Sequence, residues 1–204
     1  MTHSELSKLS SEDLAKELIT RNDFFEGNFL TPNIYKLSIE LGIPPCVDGV
    51  AIRKRDDGTI EALAIIRNTG PFKGMLCSVG GRIFFEESFE TAMRRQFTTD
   101  LGVDIEFLTP WDQPAAVHQF MRPQEDGTVL PDFGIEPTRR HNITIVYMVR
   151  LLTDDFHYGS TEIGGQEASG VSWFSLANMP PLEAFGYGQG VYYKKCLELA
   201  ESLL

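Results

Sequence analysis

The spacing of apolar residues predicts alternating strands and helices after residue 46. Runs of β-forming residues predict strands at 47–54, 60–67, 76–79, 105–108, 115–121, 142–152 and 170–175. Apolar residues at helical spacing predict a helix over residues 88–101, which Gly102 ends. A last amphipathic helix is predicted near the C-terminus, with an apolar face formed by Tyr192, Cys196, Leu199 and Leu203. Strands mixed with few helices predict an α/β fold in which the helices pack on a mixed sheet.

The first 45 residues follow a different pattern. Apolar residues between Leu14 and Ile19 share one helical face behind the capping candidates Ser10 and Ser11. A turn-rich stretch follows, and a second short helix is predicted over residues 34–41. We therefore expect a helical N-terminal extension over residues 1–45 and a main domain over residues 46–204.

The composition of the chain limits the kinds of partner that it is expected to bind. The chain has 204 residues with 18 basic and 29 acidic side chains, so its net charge is −11. This acid excess argues against a broad electropositive surface for nucleic acids. No apolar run approaches the roughly 18 residues of a membrane span, so no membrane partner is expected.

The same sequence predicts a cytoplasmic protein. Residues 1–20 contain charged side chains and no apolar core of a signal peptide. The cysteines Cys46, Cys77 and Cys196 form no C-x-x-C pair. They are therefore expected to be reduced, partly buried thiols rather than zinc ligands or disulfides.

One motif points to chemistry. Gly80-Gly81-Arg82 is followed by Glu87, then by a helix that contains Arg95 and ends in Asp100-Leu101-Gly102-Val103. This pattern resembles the signature of the Nudix hydrolases, and the segment 171–176 is similar to the final strand of that family. The resemblance covers residues 46–180 and implies a Nudix-type α/β/α sandwich around a mixed sheet.

The chemistry of the motif is that of a cation site for a pyrophosphate. Magnesium prefers oxygen ligands in near-octahedral geometry, and helix residues three and four apart share a face. Most members of the family carry glutamate at three such helix positions, where this chain has Gln96, Thr99 and Asp100. We therefore expect weak binding of one Mg²⁺, or Mn²⁺, which the phosphates of the substrate share.

The GDP-mannose mannosyl hydrolases are a branch of the family with a similarly reduced motif. Similarity to that branch implies that the Gly81 carbonyl and Asp100 are metal ligands. It also implies that Arg67 and Arg82 neutralise the departing diphosphate. His141 matches a histidine that opens the equivalent strand, and Gln119 lies in a segment that resembles a Gln-His-Phe sequence of the branch, so both are candidate site residues.

A loop before Trp173 leaves two assignments open. In the branch, a Gln-His pair on this loop supplies a metal ligand and the general base, and this chain offers Gln166-Glu167. With one extra residue in the loop, Gln166 is the ligand and Glu167 takes the position of the base. Without it, Glu167 takes the ligand position and Ala168 that of the base. Glu167 is the expected essential carboxylate in either case.

The function expected from this resemblance is Mg²⁺-dependent hydrolysis of a nucleoside diphosphate linked to another group, a sugar above all, by a protein that forms a homodimer. The alternative is a catalytically degenerate domain that senses a nucleotide metabolite or serves as an interaction module. Each candidate residue also has an ordinary interpretation: a solvated helix end, surface or loop charges, or a histidine satisfied within its strand. These interpretations apply to Asp100, Arg67, Arg82, Glu167 and His141.

Overall fold

The computed structural model describes residues 42–121, 134–135, 141–158, 160–161 and 165–204, with the backbone of two short strands before them. The chain forms two compact units, Met1–Gly42 and Ile43–Leu204. Strands β1 (Phe25–Glu26) and β2 (Phe29–Leu30) form an antiparallel pair in the first unit. The helices predicted at 10–19 and 34–41 lie outside the described residues, so the helical extension stays a prediction.

The second unit contains the remaining elements. Its strands are β3 (Pro45–Lys54), β4 (Ile60–Arg67), β5 (Leu76–Cys77), β6 (Val79–Arg82), β7 (Ile105–Phe107), β8 (Ala116–Met121), β9 (Gly134–Ile135), β10 (His141–Leu151), β11 (Ser160–Thr161), β12 (Gly165–Gln166) and β13 (Ala168–Phe174). Its helices are α1 (Phe89–Leu101) and α2 (Gly190–Leu203), and three short 3₁₀ turns precede α2. These bounds agree with the predicted strands and the two predicted helices to within a few residues.

The central sheet is mixed, as predicted. Among the described residues, nine strands join in one sheet, whose main path is β13-β4-β3-β10-β8-β9. The central pair β3–β10 is parallel, whereas β4 and β6 both pair antiparallel with β3. Strand β6 thus lies beside the first half of β3, and it delivers the glycine motif to the middle of the sheet.

In the described part of the chain, each face of the sheet carries one helix. Helix α1 buries Ala92, Met93 and Phe97 against one face, where Gly49 allows close approach, because a Cβ there would lie 2.3 Å from the Phe97 ring. Helix α2 packs on the other face through its buried aromatic and aliphatic side chains. The predicted α/β/α sandwich is therefore confirmed.

Some expectations need correction. Phe89 belongs by its spacing to the apolar stripe of the predicted helix, but it is 37% exposed at the first position of α1. Leu203 is exposed in the last turn of α2. Residues 124–138, whose Pro, Gly and acidic residues predict a long loop, lie outside the described residues except for the two residues of β9. None of the helices in the described part of the chain has the length and apolar character needed to cross a bilayer.

Candidate active site

A small cavity opens beside the glycine motif, where β3, β4 and β6 meet. Its volume is about 130 Å³. Arg67 and Glu167 line one side of the cavity. Gly80 and Gly81 line it along β6, and Asp48 and Thr144 form its floor. The sequence motif and the loop before β13 therefore reach the same place in the fold.

The loop between β6 and α1 is braced by Arg95. Its guanidinium donates to both carboxylate oxygens of Glu87, at 2.7 and 2.8 Å, and to the Arg82 carbonyl at 2.8 Å. The amide of Phe84 donates to Glu87 at 2.9 Å, and the Arg95 guanidinium lies 3.7 Å from the centre of the Phe84 ring. Burial acts to raise the pKa of Glu87, but the hydrogen bonds from Arg95 and Phe84 outweigh it and lower that pKa. Glu87 and Arg95 therefore hold the loop in shape.

Helix α1 begins and ends with conventional caps. The Ser88 side chain accepts from the Thr91 amide at 3.1 Å, and Gly102 adopts a left-handed conformation with φ of 69°. Because Gly102 ends the helix, Asp100 lies in its last turn, and the Asp100 side chain is buried.

Asp100 is a buried carboxylate without a hydrogen-bond donor among the described residues. Its exposed fraction is 5%. Burial, followed by repulsion from Glu167, raises the pKa of Asp100 to about 7, although the positive charges of Arg67 and Arg95 act in the opposite direction. A charge buried in this way needs a compensating partner. The position therefore suits a bound cation.

Arg67 and Glu167 form an ion pair at the mouth of the cavity. The Arg67 Nε atom also donates to the carbonyls of Thr69 and Pro71, at 3.0 and 3.1 Å. The other carboxylate oxygen of Glu167 accepts from the Thr69 hydroxyl at 2.9 Å, and its carbonyl accepts from the Asn68 amide at 2.8 Å. The register irregularity of β13 between Ala168 and Gly170 directly follows this point, where Glu167 leaves the strand and turns towards Arg67.

The structure brings only some of the predicted residues together. Gly81, Arg67 and Glu167 line the cavity, and Asp100, which is not among the lining residues, lies close enough to interact with the charges of Arg67 and Glu167. Arg82 lies opposite Cys46 in the pairing of β6 with β3, two residues beyond Gly80, so its side chain is on the face of the sheet that holds the cavity.

Three predicted residues are placed elsewhere. Gln166 is exposed, and its amide donates to the Tyr158 carbonyl at 3.2 Å, away from the cavity lining. His141 and Gln119 do not line the cavity either, because Asn142 and Thr144 of β10 do and alternate residues face opposite sides of a strand. Ala168, the alternative position of a base, is fully buried in the core.

The residues present suit one weakly held cation. A Cβ at Gly81 would lie 2.5 Å from the Gln96 amide nitrogen, so the glycine backbone and the Gln96 amide are close neighbours. Gln96, the Gly81 carbonyl, Asp100 and Glu167 offer oxygen atoms of the kind that Mg²⁺ prefers. No cluster of three or more His, Cys, Asp or Glu side chains with ligand spacing occurs among the described residues. Only two carboxylates would contribute, so a cation held here would take its remaining ligands from water or from a bound anion.

Asp48 is a site residue that the sequence reasoning missed. It is 7% exposed on β3, and the Tyr192 hydroxyl of α2 donates to it at 2.9 Å. Burial raises the pKa of Asp48 to about 6, against the opposing effect of the Tyr192 hydrogen bond. An Asp within the apolar strand segment 47–54 was the available signal, since a buried carboxylate is rare without a function or a partner.

Most of the chain matches a known protein family. The family model of the NUDIX domain matches residues 44–195. No protein in the curated set matches the chain significantly. The matched range contains the glycine motif, α1 and the loop that carries Glu167.

Solved structures share the fold at low sequence identity. The NUDIX domain of Shewanella oneidensis NrtR, complexed with ADP ribose, is 17% identical with a TM-score of 0.53, over 98% of this chain and 99% of that chain. A possible asymmetric diadenosine tetraphosphate hydrolase from Jonesia denitrificans is 24% identical with a TM-score of 0.61, over 80% of this chain and 98% of that chain. A diadenosine tetraphosphate hydrolase of C. elegans in a binary complex is 14% identical with a TM-score of 0.52, over 78% and 99%.

Proposed function

Because the chain belongs to the NUDIX domain family, we propose that it hydrolyses a nucleoside diphosphate joined to a sugar, with Mg²⁺ or Mn²⁺ as the cation. The observation that carries this proposal is that Glu167 and Arg67 line one cavity with Gly81, while the buried Asp100 lies close enough for its charge to interact with theirs. Two carboxylates and one guanidinium next to the glycine backbone of β6 suit a cation and a diphosphate together.

Asp100 and the Gly81 carbonyl would hold the cation, with Gln96 and Glu167 as further oxygen donors. A divalent cation supplies charge neutralisation of the diphosphate as it becomes a leaving group. With two carboxylates rather than several, the protein alone holds the cation weakly. Substrate and cation are therefore expected to bind cooperatively.

Arg67 and Glu167 divide the remaining tasks. Arg67 is fixed by two backbone carbonyls, so its guanidinium is aimed at the cavity before a ligand arrives. A diphosphate competes with Glu167 for this guanidinium, and its binding frees one oxygen of Glu167 to accept a proton from water. Thr69 keeps the other oxygen in place through its hydrogen bond. Arg82 adds positive charge on the same face of the sheet.

The named ligands of the structural neighbours support the choice of substrate class. ADP ribose, bound by the NrtR domain, is a nucleoside diphosphate joined to a sugar. Diadenosine tetraphosphate, named for the Jonesia and C. elegans proteins, joins two nucleosides through phosphates. The small cavity next to Arg67 favours a sugar over a second nucleoside. As part of the proposal, the protein is a cytoplasmic homodimer, which light scattering of the purified chain tests.

A second candidate function is ligand binding without hydrolysis. It is favoured by the neutral side chains of Gln96 and Thr99, which occupy two of the three helix positions where most family members carry glutamate. A domain of this kind would bind the same nucleotide metabolite and use it as a signal.

One experiment separates the two candidates. The purified protein is incubated with nucleotide sugars, ADP-ribose and diadenosine tetraphosphate, with Mg²⁺ or Mn²⁺, and products and ligand-induced thermal stabilisation are measured together. Turnover of a nucleoside diphosphate sugar supports the hydrolase. Stabilisation by such a compound without turnover contradicts the hydrolase and supports the binding domain.

The bond that breaks is a separate question for an active enzyme. Similarity to the GDP-mannose branch favours attack by water at the anomeric carbon of the sugar, whereas the wider family attacks phosphorus. Hydrolysis in ¹⁸O-labelled water distinguishes them, since the label enters the sugar in the first case and a phosphate in the second.

A further inference from the structure

The floor of the cavity is built from polar side chains of two central strands. Asp48 comes from β3 and Thr144 from β10, and both line the cavity. In the parallel pairing of these strands Thr144 lies opposite Cys46 and Val146 opposite Asp48, so Asp48 and Thr144 face the same side of the sheet. Their burial, with 7% and 1% exposure, shows that they are not ordinary surface groups.

Helix α2 fixes the direction of Asp48. The Tyr192 hydroxyl donates to Asp48 Oδ2 at 2.9 Å, and the Ser78 hydroxyl lies 2.8 Å from that of Tyr192. The Gln189 side chain in turn accepts from the Ser78 amide at 2.9 Å. A carboxylate has about four acceptor positions, so this network leaves Asp48 with capacity for donors from a ligand.

Thr144 supplies an independent sign of a ligand. Its hydroxyl is buried and forms no hydrogen bond of regular geometry with the described residues, although it lies close enough to Asp48 for a weak one that acts to lower the pKa of that carboxyl. A buried hydroxyl that is only weakly hydrogen-bonded is unfavourable and needs an explanation, such as a ligand that completes it.

The lining of the cavity includes one aromatic residue with a strained backbone, Tyr187, which contacts a second such residue outside the lining, Phe72. Tyr187 lines the cavity with φ of 58°, and Phe72 has φ of 66°, a left-handed backbone that side chains with a Cβ rarely adopt. The two rings contact each other at 4.6 Å between centroids, and the Arg67 guanidinium lies 5.3 Å from the Tyr187 ring centre. Strained residues of this kind cluster at ligand sites.

The volume of the cavity is sufficient for a single ring of a ligand. A cavity of about 130 Å³ is close to the roughly 150 Å³ that accommodates a benzene-sized molecule, and it is well below the volume of a pocket for a whole nucleotide. In a nucleoside diphosphate sugar, the group attached directly to either phosphate is a sugar. In a ligand of this class, a ring next to the diphosphate that reached the floor beside Arg67 and Glu167 would therefore be a sugar ring.

We propose that Asp48 and Thr144 form a sugar subsite, in which they bind hydroxyl groups of the ring next to the diphosphate. This inference rests on the proposed function for the class of ligand. The ring is either the ribose of the nucleoside or the second sugar, and both present the same neighbouring hydroxyls. Asp48 accepts from one hydroxyl, and the Thr144 hydroxyl bonds to its neighbour.

The test uses probes that lack single hydroxyls. ADP-ribose and GDP-mannose are compared with forms that lack the 2′-hydroxyl of the nucleoside ribose and with forms that lack one hydroxyl of the second sugar. Both kcat/KM and ligand-induced thermal stabilisation are measured in the presence of Mg²⁺. Whichever deoxy form loses about tenfold or more identifies the ring that occupies the floor.

Isosteric variants connect the discrimination to these residues. Thr144→Val is expected to reduce the preference for the hydroxylated probe about tenfold without lowering the Tm of the unliganded protein, and Thr144→Ser to restore the preference. Asp48→Asn is a second variant with the same expected loss of preference. Thr109→Val is the matched control, because the Thr109 hydroxyl is also buried without a partner but lies outside the cavity lining.

The outcomes are separable from those of the proposed function. Preferential stabilisation by hydroxylated probes that Thr144→Val removes supports the subsite, even when no probe is turned over and hydrolysis is refuted. Turnover with equal discrimination in the wild type and in both the Thr144→Val and Asp48→Asn variants overturns the subsite and leaves the hydrolase intact. An equal response to hydroxylated and deoxy probes in the wild type also overturns it.

Discussion

The two ends of helix α1 place a carboxylate in opposite surroundings. Glu87, just before the helix, receives two hydrogen bonds from Arg95 and one from the Phe84 amide, and its pKa is lowered. Asp100, in the last turn, has no donor among the described residues, and its pKa is raised to about 7 by burial and by Glu167. The protein itself supplies the hydrogen bonds of Glu87, whereas the charge of Asp100 lacks a hydrogen-bonded partner among the described residues and suits a bound cation.

The difference separates Glu87, which holds the loop beside the site in shape, from Asp100, which is available to a bound cation. Glu87 and Arg95 hold the loop after β6, through which the Gly81 backbone is presented to the cavity. Asp100 lies at a position that is unfavourable for the isolated protein, and such positions persist where function needs them. Variants at the two ends should therefore change stability in opposite directions.

The largest effect is expected from Glu87→Ala. This change leaves the Arg95 guanidinium without its carboxylate partner, and the Glu87 side chain is only 8% exposed. Breaking such a pair should lower the free energy of unfolding by about 3 kcal/mol, as measured by urea denaturation at pH 7. Glu106→Ala is the control, since Glu106 pairs with Arg150 at the exposed surface, and a loss below about 1 kcal/mol is expected there.

The pH dependence of this effect has a defined sign. The pKa of Glu87 is lower in the folded protein than its usual value, so its contribution is present above about pH 4.5 and is lost as the pH falls through the folded value. The stability difference between wild type and Glu87→Gln should therefore shrink below pH 4. A difference that grew on acidification would contradict the assigned role of Arg95.

Asp100→Asn is expected to act in the opposite direction on stability. The raised pKa means that Asp100 stays protonated in the folded protein up to about pH 7, whereas the unfolded carboxyl ionises near pH 4, so the wild type loses stability as the pH rises between these values. At pH 8 in EDTA, the variant should be more stable by about 2 kcal/mol, with no difference at pH 4. If the protein is a hydrolase, the same variant should lose at least about tenfold in kcat/KM, which is roughly 1.4 kcal/mol.

Mg²⁺ provides the check on this interpretation. The cation should raise the Tm of the wild type and leave that of Asp100→Asn nearly unchanged, because only the wild type offers the carboxylate. An equal response of both proteins to Mg²⁺ would place the cation away from Asp100.

The same contrast explains which parts of the molecule the sequence could predict. The strands and α1 followed from periodicity, which depends on residues near one another in the chain. The sandwich and the family followed from the resemblance of the glycine–glutamate–arginine motif to a known family signature. The family resemblance also implied Gly81, Asp100, Arg67 and Glu167 as site residues, and three of them, Gly81, Arg67 and Glu167, line the cavity. The roles assigned to them remain predictions.

What could not be predicted depends on pairing between distant strands. The parallel register of β10 on β3 decides that Asn142 and Thr144 face the cavity and that His141 does not. Asp48 meets Tyr192 across 144 positions of sequence, a contact for which the chain contains no local signal. The ion pair of Arg67 with Glu167 likewise requires β13 beside β4.

A smaller effect is expected from Gln96→Glu, which restores a carboxylate next to Gly81. The Gln96 amide already lies against the Gly81 backbone, so the new charge would enter the cation site without rearrangement of the helix. Affinity for Mg²⁺ in titration calorimetry should rise about tenfold, because the affinity of such sites follows the charge of their ligands. Gln113→Glu, which adds the same charge at an exposed position, controls for net charge.

The smallest effect is expected from Glu90→Ala, on the outer face of the same helix. Glu90 accepts from Arg94 at 3.0 and 3.1 Å, but both side chains are substantially exposed and Arg94 keeps Asp104 and the Ile105 carbonyl as partners. Its loss should lower the free energy of unfolding by about 0.3–0.5 kcal/mol, and the difference should vanish in 1 M NaCl, where exposed charges are screened. The loss in Glu87→Ala should persist in the same salt, because that pair is largely shielded from solvent. If both differences disappeared together, the bracing of the loop by Arg95 would be an ordinary surface interaction, and the contrast between the two ends of α1 would rest on Asp100 alone.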